Sequence, residues 1–119
     1  FEIIIDDGSH IYSDMLNNFE NFFRRIKPGG FYVIEDFNHY KYYSHLNDST
    51  PDSLDIDDIF HLLKIKKIFN SKNLSFDFQN YCLNNISNII LDHVTYISTI
   101  FCFLMRIYKK ILVIYRTFG

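Results

Sequence analysis

Ile3-Ile4-Ile5-Asp6-Asp7-Gly8-Ser9-His10 and Phe31-Tyr32-Val33-Ile34-Glu35-Asp36 are the two stretches that decide how this chain folds. Each is a short run of β-branched and aromatic residues that stops abruptly at two acids. Such a run, bounded by polar turn residues, predicts a fully buried strand of the kind found in parallel sheets. Between them, Met15, Leu16, Phe19, Phe22, Phe23 and Ile26 share one helical face, with Asn17, Asn18, Glu20, Asn21 and Arg24 opposite. Ser13 or Asp14 is the expected cap of that helix. Pro28-Gly29-Gly30 is its expected stop, because proline cannot continue a helix and glycine accepts a left-handed turn. The unit is strand, helix, strand. Ligands of open α/β sheets bind outside the carboxyl ends of the strands, so both acidic pairs are expected on the reactive rim.

Working outward, 119 residues suit one domain, and 48% apolar side chains can fill a core. Charge is uneven. Residues 1–60 carry 4 basic and 12 acidic side chains, a net −8, while residues 61–119 carry 8 basic and 2 acidic, a net +6. An acidic front half argues against nucleic acid as partner, since phosphate contacts need clustered Lys and Arg, and it suits a cation instead. Cys82 and Cys102 show no CxxC and no zinc spacing, so free thiols in a reducing, cytoplasmic setting are expected. The longest uncharged run, Val94 to Met105, has 12 residues against the roughly 20 that span a membrane, so no membrane span is expected. The chain opens inside an expected strand without an initiating Met, which leads us to expect a fragment.

Residues 2–6 are the expected first strand and Phe31–Ile34 the second. From Phe37 to Ser49 no period survives, so this stretch reads as a loop beside the rim, where functional residues concentrate. Thr50-Pro51 offers a capping hydroxyl and a first-turn proline for a helix running to about Ile68, with Ile56, Ile59, Phe60 and Leu63 on one face. Asn70 to Asn88 reads as a short helix or an insertion. Val94–Met105 and Ile111–Tyr115 read as two strands joined near Arg106–Lys110.

A right-handed crossover makes the first two strands parallel, either adjacent or one strand apart. If adjacent, their ends lie about 4.8 Å from each other. Asp7, Glu35 and Asp36 then repel unless protons or a cation neutralise them. Oxygen-only ligands favour a hard divalent ion such as Mg²⁺. His10, three residues beyond Asp7, has the chemistry of a general base near neutrality. Plainer roles stand beside these: Asp6 as a helix cap, His10 as a surface residue, and Tyr40, Tyr42 and Tyr43 as either a substrate wall or local packing. His39 and His45 are weaker candidates.

Ile-Asp-Asp-Gly-Ser-His, an amphipathic helix, and Lys-Pro-Gly-Gly-Phe-Tyr-Val-Ile-Glu-Asp together resemble the second half of class I S-adenosylmethionine-dependent methyltransferases. The branch most similar is that of the metal-dependent sugar O-methyltransferases of macrolide biosynthesis, with the cephalosporin-hydroxylase-like proteins as relatives. The resemblance covers residues 1–40. It implies a Rossmann-like, doubly wound α/β sheet of parallel strands with a closing antiparallel pair, of which residues 1–119 form one partial domain. It implies Asp7, Glu35 and Asp36 as ligands of Mg²⁺, His10 as base, Asp6 at the edge of S-adenosylmethionine, and a hydroxyl acceptor such as a sugar. The family's glycine-rich cofactor loop has no counterpart, because Gly8, Gly29, Gly30 and Gly119 are the only glycines. The chain therefore reads as the metal half of an O-methyltransferase without its cofactor half. Two other readings stay open: a non-catalytic remnant or interaction module that associates, even with itself, through an exposed sheet edge, and a metal-dependent hydrolase.

Overall fold

The chain passes from β1 (Ile3–Asp6) through α1 (Tyr12–Phe23) into β2 (Phe31–Glu35). Next come α2 (Ile56–Lys66), α3 (Phe76–Asn85), β3 (Ile86–Val94) and β4 (Lys109–Arg116). The computed structural model describes residues 1–9, 11–37, 54–94 and 109–117. The sheet order is β1-β2-β4-β3. β1 and β2 pair in parallel, and β4 runs antiparallel to both β2 and β3. Three strands therefore share one direction, with β4 inserted against them. This mixed α/β sheet is compatible with the expected Rossmann-like fold, and β3 and β4 pair antiparallel within it. The first two strands are adjacent.

Side chains alternate across a strand, and here the two faces differ. Tyr32 and Ile34 on β2, Leu112 and Ile114 on β4 and Ile89 on β3 join one buried cluster with all three helices. Phe19 of α1 lies at its centre, with the rings of Phe23, Tyr32, Phe60, Phe69 and Phe78 at centroid distances of 5.0 to 6.5 Å. Fully burying one such ring contributes about 1.5–3 kcal/mol. On the other face Phe31 and Tyr115 touch ring to ring across β2 and β4, at 5.5 Å between centroids. No described helix lies there.

That asymmetry corrects the expectation of a fully buried first strand. Ile4 packs on the core, whereas Ile3 is 50% and Ile5 60% exposed. Among the described residues β1 has one strand neighbour, β2, and nothing over its outer face.

Other boundaries moved too. α1 starts earlier than its expected caps: Ile11 is its extended N-cap with no side-chain cap. Burial of Tyr12, whose hydroxyl donates to the Leu54 carbonyl oxygen (2.8 Å), fixes that start. Asp14 falls inside the first turn and accepts from the Ser9 hydroxyl (2.6 Å). Asn18 and Glu20, expected on the solvent side, are half-buried and bonded to Asp6 and Ser75. Gly29 takes the left-handed turn as expected, with φ 81.

α2 begins at Ile56 with Asp55 as its extended N-cap, so Thr50-Pro51, which lies outside the described residues, does not start it. The ambiguous stretch after Asn70 holds α3, capped by the Ser75 hydroxyl, which accepts from the Phe78 N–H at 3.2 Å. β3 then ends where its expected strand began, at Val94, because α3 feeds straight into the sheet at Ile86 and pairing with β4 sets the register. Positions 95–108, Cys102 among them, lie outside the described residues. Cys82 is a free, buried thiol, as expected. No helix of the described residues is long and apolar enough to cross a membrane.

Candidate functional site

β1 and β2 pair with a constant 28-residue offset, from Ile3↔Phe31 to Asp6↔Ile34. The ladder ends at that pair, and Asp7 and Glu35 are the next residues at the carboxyl ends of the two strands. Asp7 is exposed, and Glu35 and Asp36 are half-buried. Asp36 adopts φ 51, in the left-handed region that costs a non-glycine residue roughly 1 kcal/mol. Aspartate tolerates that conformation better than most residues, and the turn sends the chain off β2 immediately after Glu35. The two acidic pairs thus share a rim, as expected. His10, the expected base, lies outside the described residues, as do His39, Tyr40, Tyr42, Tyr43 and His45.

Asp6 sits one step below the rim, on the helix-covered face. Its Oδ2 accepts from the Tyr32 hydroxyl (3.1 Å) and the Asn18 amide (3.4 Å), while Oδ1 accepts from the Gly8 N–H (3.1 Å). Burial, reinforced by the Asp6 charge and the hydrogen bond to it, raises the Tyr32 hydroxyl far above its ordinary value. Tyr32 is the donor in its hydrogen bond with Asp6. Reading the sequence missed Tyr32 and Asn18. The usable signal was position: Tyr32 shares the inward side of β2 with Ile34, level with Ile4 and two residues short of Asp6.

The donors on the rim are all carboxylate oxygens, a set whose chemistry fits a hard divalent cation. Their ligand atoms, however, are not within 4.8 Å of one another as a group, so the expected trio is not drawn together as a closed metal cage. Among the described residues the group that does lie that close is Asp55, Asp57 and Asp58, whose ligand atoms are within 4.8 Å of one another. These three occupy the N-cap and first turn of α2, where the helix dipole stabilises negative charge.

Gly8 and Gly30 both have protein atoms where a side chain would stand. A Cβ on Gly30 would lie 2.3 Å from the Glu2 carbonyl oxygen and 2.7 Å from Ile26 Cγ2, so this glycine serves close backbone packing below the sheet. A Cβ on Gly8 would meet the Asp6 carboxylate at 3.0 Å.

Part of the chain is similar to known O-methyltransferases. L-olivosyl-oleandolide 3-O-methyltransferase of Streptomyces antibioticus is 56% identical over 36 residues, 30% of this chain and 9% of that protein. Demethylmacrocin O-methyltransferase of Streptomyces fradiae and mycinamicin VI 2''-O-methyltransferase of Micromonospora griseorubida are each 53% identical over 36 residues, with the same shares. The match thus spans about a tenth of these curated relatives. It supports a relationship to methyltransferases. No family model matches the chain, and no solved structure does.

Proposed function

We propose that this chain carries the acceptor-activating part of an S-adenosylmethionine-dependent O-methyltransferase. One observation supports the reading: the in-register parallel pairing of β1 and β2, after whose last paired residues come Asp7 on one strand and Glu35-Asp36 on the other. The partial relatives, all O-methyltransferases by their names, favour the same chemistry. In this reading Asp7, Glu35 and Asp36 hold Mg²⁺, which when bound supplies a positive charge that orients an acceptor hydroxyl and lowers its pKa. His10 accepts the hydroxyl proton as the oxygen becomes a nucleophile. The rigid parallel pair contributes alignment, from which much of the rate of a two-substrate transfer derives. The acceptor class is a sugar hydroxyl.

The residues present do not fit the whole cofactor. Its methyl group is the reaction's donor, yet Gly8, Gly29, Gly30 and Gly119 are the only glycines and none stands in a glycine-rich cofactor loop. We assign to this chain only a contact of Asp6 with the cofactor's edge, and place its principal contacts outside these 119 residues. A second reading, a non-catalytic interaction module that associates with copies of itself, is favoured by the exposed β1 edge with Ile3 and Ile5.

Calorimetric titration of the chain separates the two. The enzyme reading expects Mg²⁺ to bind, and Asp7→Ala or Glu35→Ala to abolish that binding. Binding of neither Mg²⁺ nor S-adenosylmethionine favours the module. Micromolar binding of S-adenosylmethionine by the chain alone would overturn the assignment of its principal contacts elsewhere.

A further inference from the structure

The Asp6 carboxylate is a junction. It is approached by β2 through Tyr32, by α1 through Asn18, and by the segment after β1 through the Gly8 N–H. Strand pairing does not require these bonds, because the β1–β2 ladder is made by backbone groups alone. Their effect falls on the residues beyond the strand end. Past Asp6 the chain leaves the ladder, and its direction is set by whatever the next amides bond to. The bond from Gly8 N–H to Asp6 Oδ1 closes a local turn around Asp7. Such a turn orients Asp7 only relative to Asp6. The two side-chain donors to Oδ2 tie that turn to two other elements, β2 and α1.

We propose that Asp6, gripped by Tyr32 and Asn18, is a positioning residue that sets Asp7 against Glu35 so that the two carboxylates share one divalent cation. The inference rests on the rim being the metal site, as in the preceding reading. It gives Asp6 a role inside the protein besides any contact with cofactor. The physical basis is general: groups that hold metal ligands from behind fix their orientation, and losing one such partner typically lowers metal affinity about 10- to 100-fold. Tyr32 suits the task because it is fully buried and three residues short of Glu35 on the same strand, so it ties the two ligand-bearing strand ends together. Gly8 suits it because any larger residue would press on the carboxylate.

Mn²⁺ titration of the 119-residue chain, followed by electron paramagnetic resonance, tests this. Tyr32→Phe removes one hydroxyl and keeps the ring. It is expected to weaken Mn²⁺ binding at least tenfold and to speed hydrogen exchange at the Gly8 amide. Ile59→Val, a core change on α2 remote from the rim, is expected to lower thermal stability and leave Mn²⁺ affinity unchanged. Tyr32→Phe binding Mn²⁺ as tightly as the unmodified chain, while Asp7→Asn has lost it, overturns the positioning role and leaves the rim site standing. Asp7→Asn and Glu35→Gln both binding normally, or an unmodified chain that binds no Mn²⁺, overturns the rim site and the positioning role with it.

Discussion

β1 and β2 are written in the same grammar, an apolar run closed by two acids, yet they end in different surroundings. β2 lies between β1 and β4 beneath three helices, so Tyr32 and Ile34 are fully buried, and Val33 on the other face keeps 8% of its surface. β1 has a partner on one side and helices on one face, and its Ile5 keeps 60%. Equal apolar runs therefore contribute unequally. Area removed from water decides the hydrophobic contribution, and area depends on neighbours that lie far away in sequence.

Truncating one isoleucine in each strand gives the strongest test of that difference. Ile34→Ala is expected to cost about 2–5 kcal/mol, as for other fully buried isoleucines. Ile5→Ala is expected to cost under about 1 kcal/mol, since most of its side chain already meets water. Chemical denaturation of both variants checks this. Equal losses would show that the outer face of β1 is covered as well as that of β2.

Gly30→Ala strikes the join between the strands. The new methyl group would press on the Glu2 carbonyl and on Ile26, so one backbone must shift. Overpacking of this kind costs about 1–3 kcal/mol, and the Phe31 N–H bond to Glu2 O (3.0 Å) is expected to loosen with it. Hydrogen exchange at Phe31 reads that bond directly. An unaltered exchange rate would mean that the join yields to the methyl group without losing the bond.

A smaller effect, spread over pH, comes from the covered side alone. Burial pushes the Cys82 thiol far up, against an opposing pull from Arg24. With the folded value above the unfolded one, near 8.5, the unfolded thiol loses its proton first as pH rises. The stabilisation is therefore complete below about pH 8.5 and declines above it, by up to about 1.4 kcal/mol per pH unit. Denaturation midpoints between pH 8 and 10 measure the slope. The peptide containing Cys82 should resist thiol labelling until the chain unfolds, and rapid labelling of the native chain would contradict its burial.

Residues 1–37 were largely legible because their signals are local and agree with one another. The α1 stripe has helical spacing, Pro28-Gly29-Gly30 stops it, and each acidic pair ends a strand. Later elements were harder. Ile86–Val94 carries Ser87, Asn88, Asp92 and His93 among its apolar residues. It becomes a strand through pairing with β4, which no local pattern announces. The start of α2 misled in the opposite way: Thr50-Pro51 is a sound local signal, but Leu54 and Asp55 are not helical.

For the site itself, the sequence alone determined which carboxylates stand at strand ends and how far apart they fall in number. Those facts follow from residue type and the two-residue period of a strand. Only the tertiary structure decided that the strands are neighbours, that a constant 28-residue offset runs up to Asp6 and Ile34 and so puts both acidic ends on one side of the sheet, and that Tyr32 and Asn18 grip Asp6 from two other elements. It also left one face of β1 open. The reason is the same in each case. Pairing partners and burial are set by residues distant in sequence, whereas periodicity, caps and turns are set by residues a few positions apart.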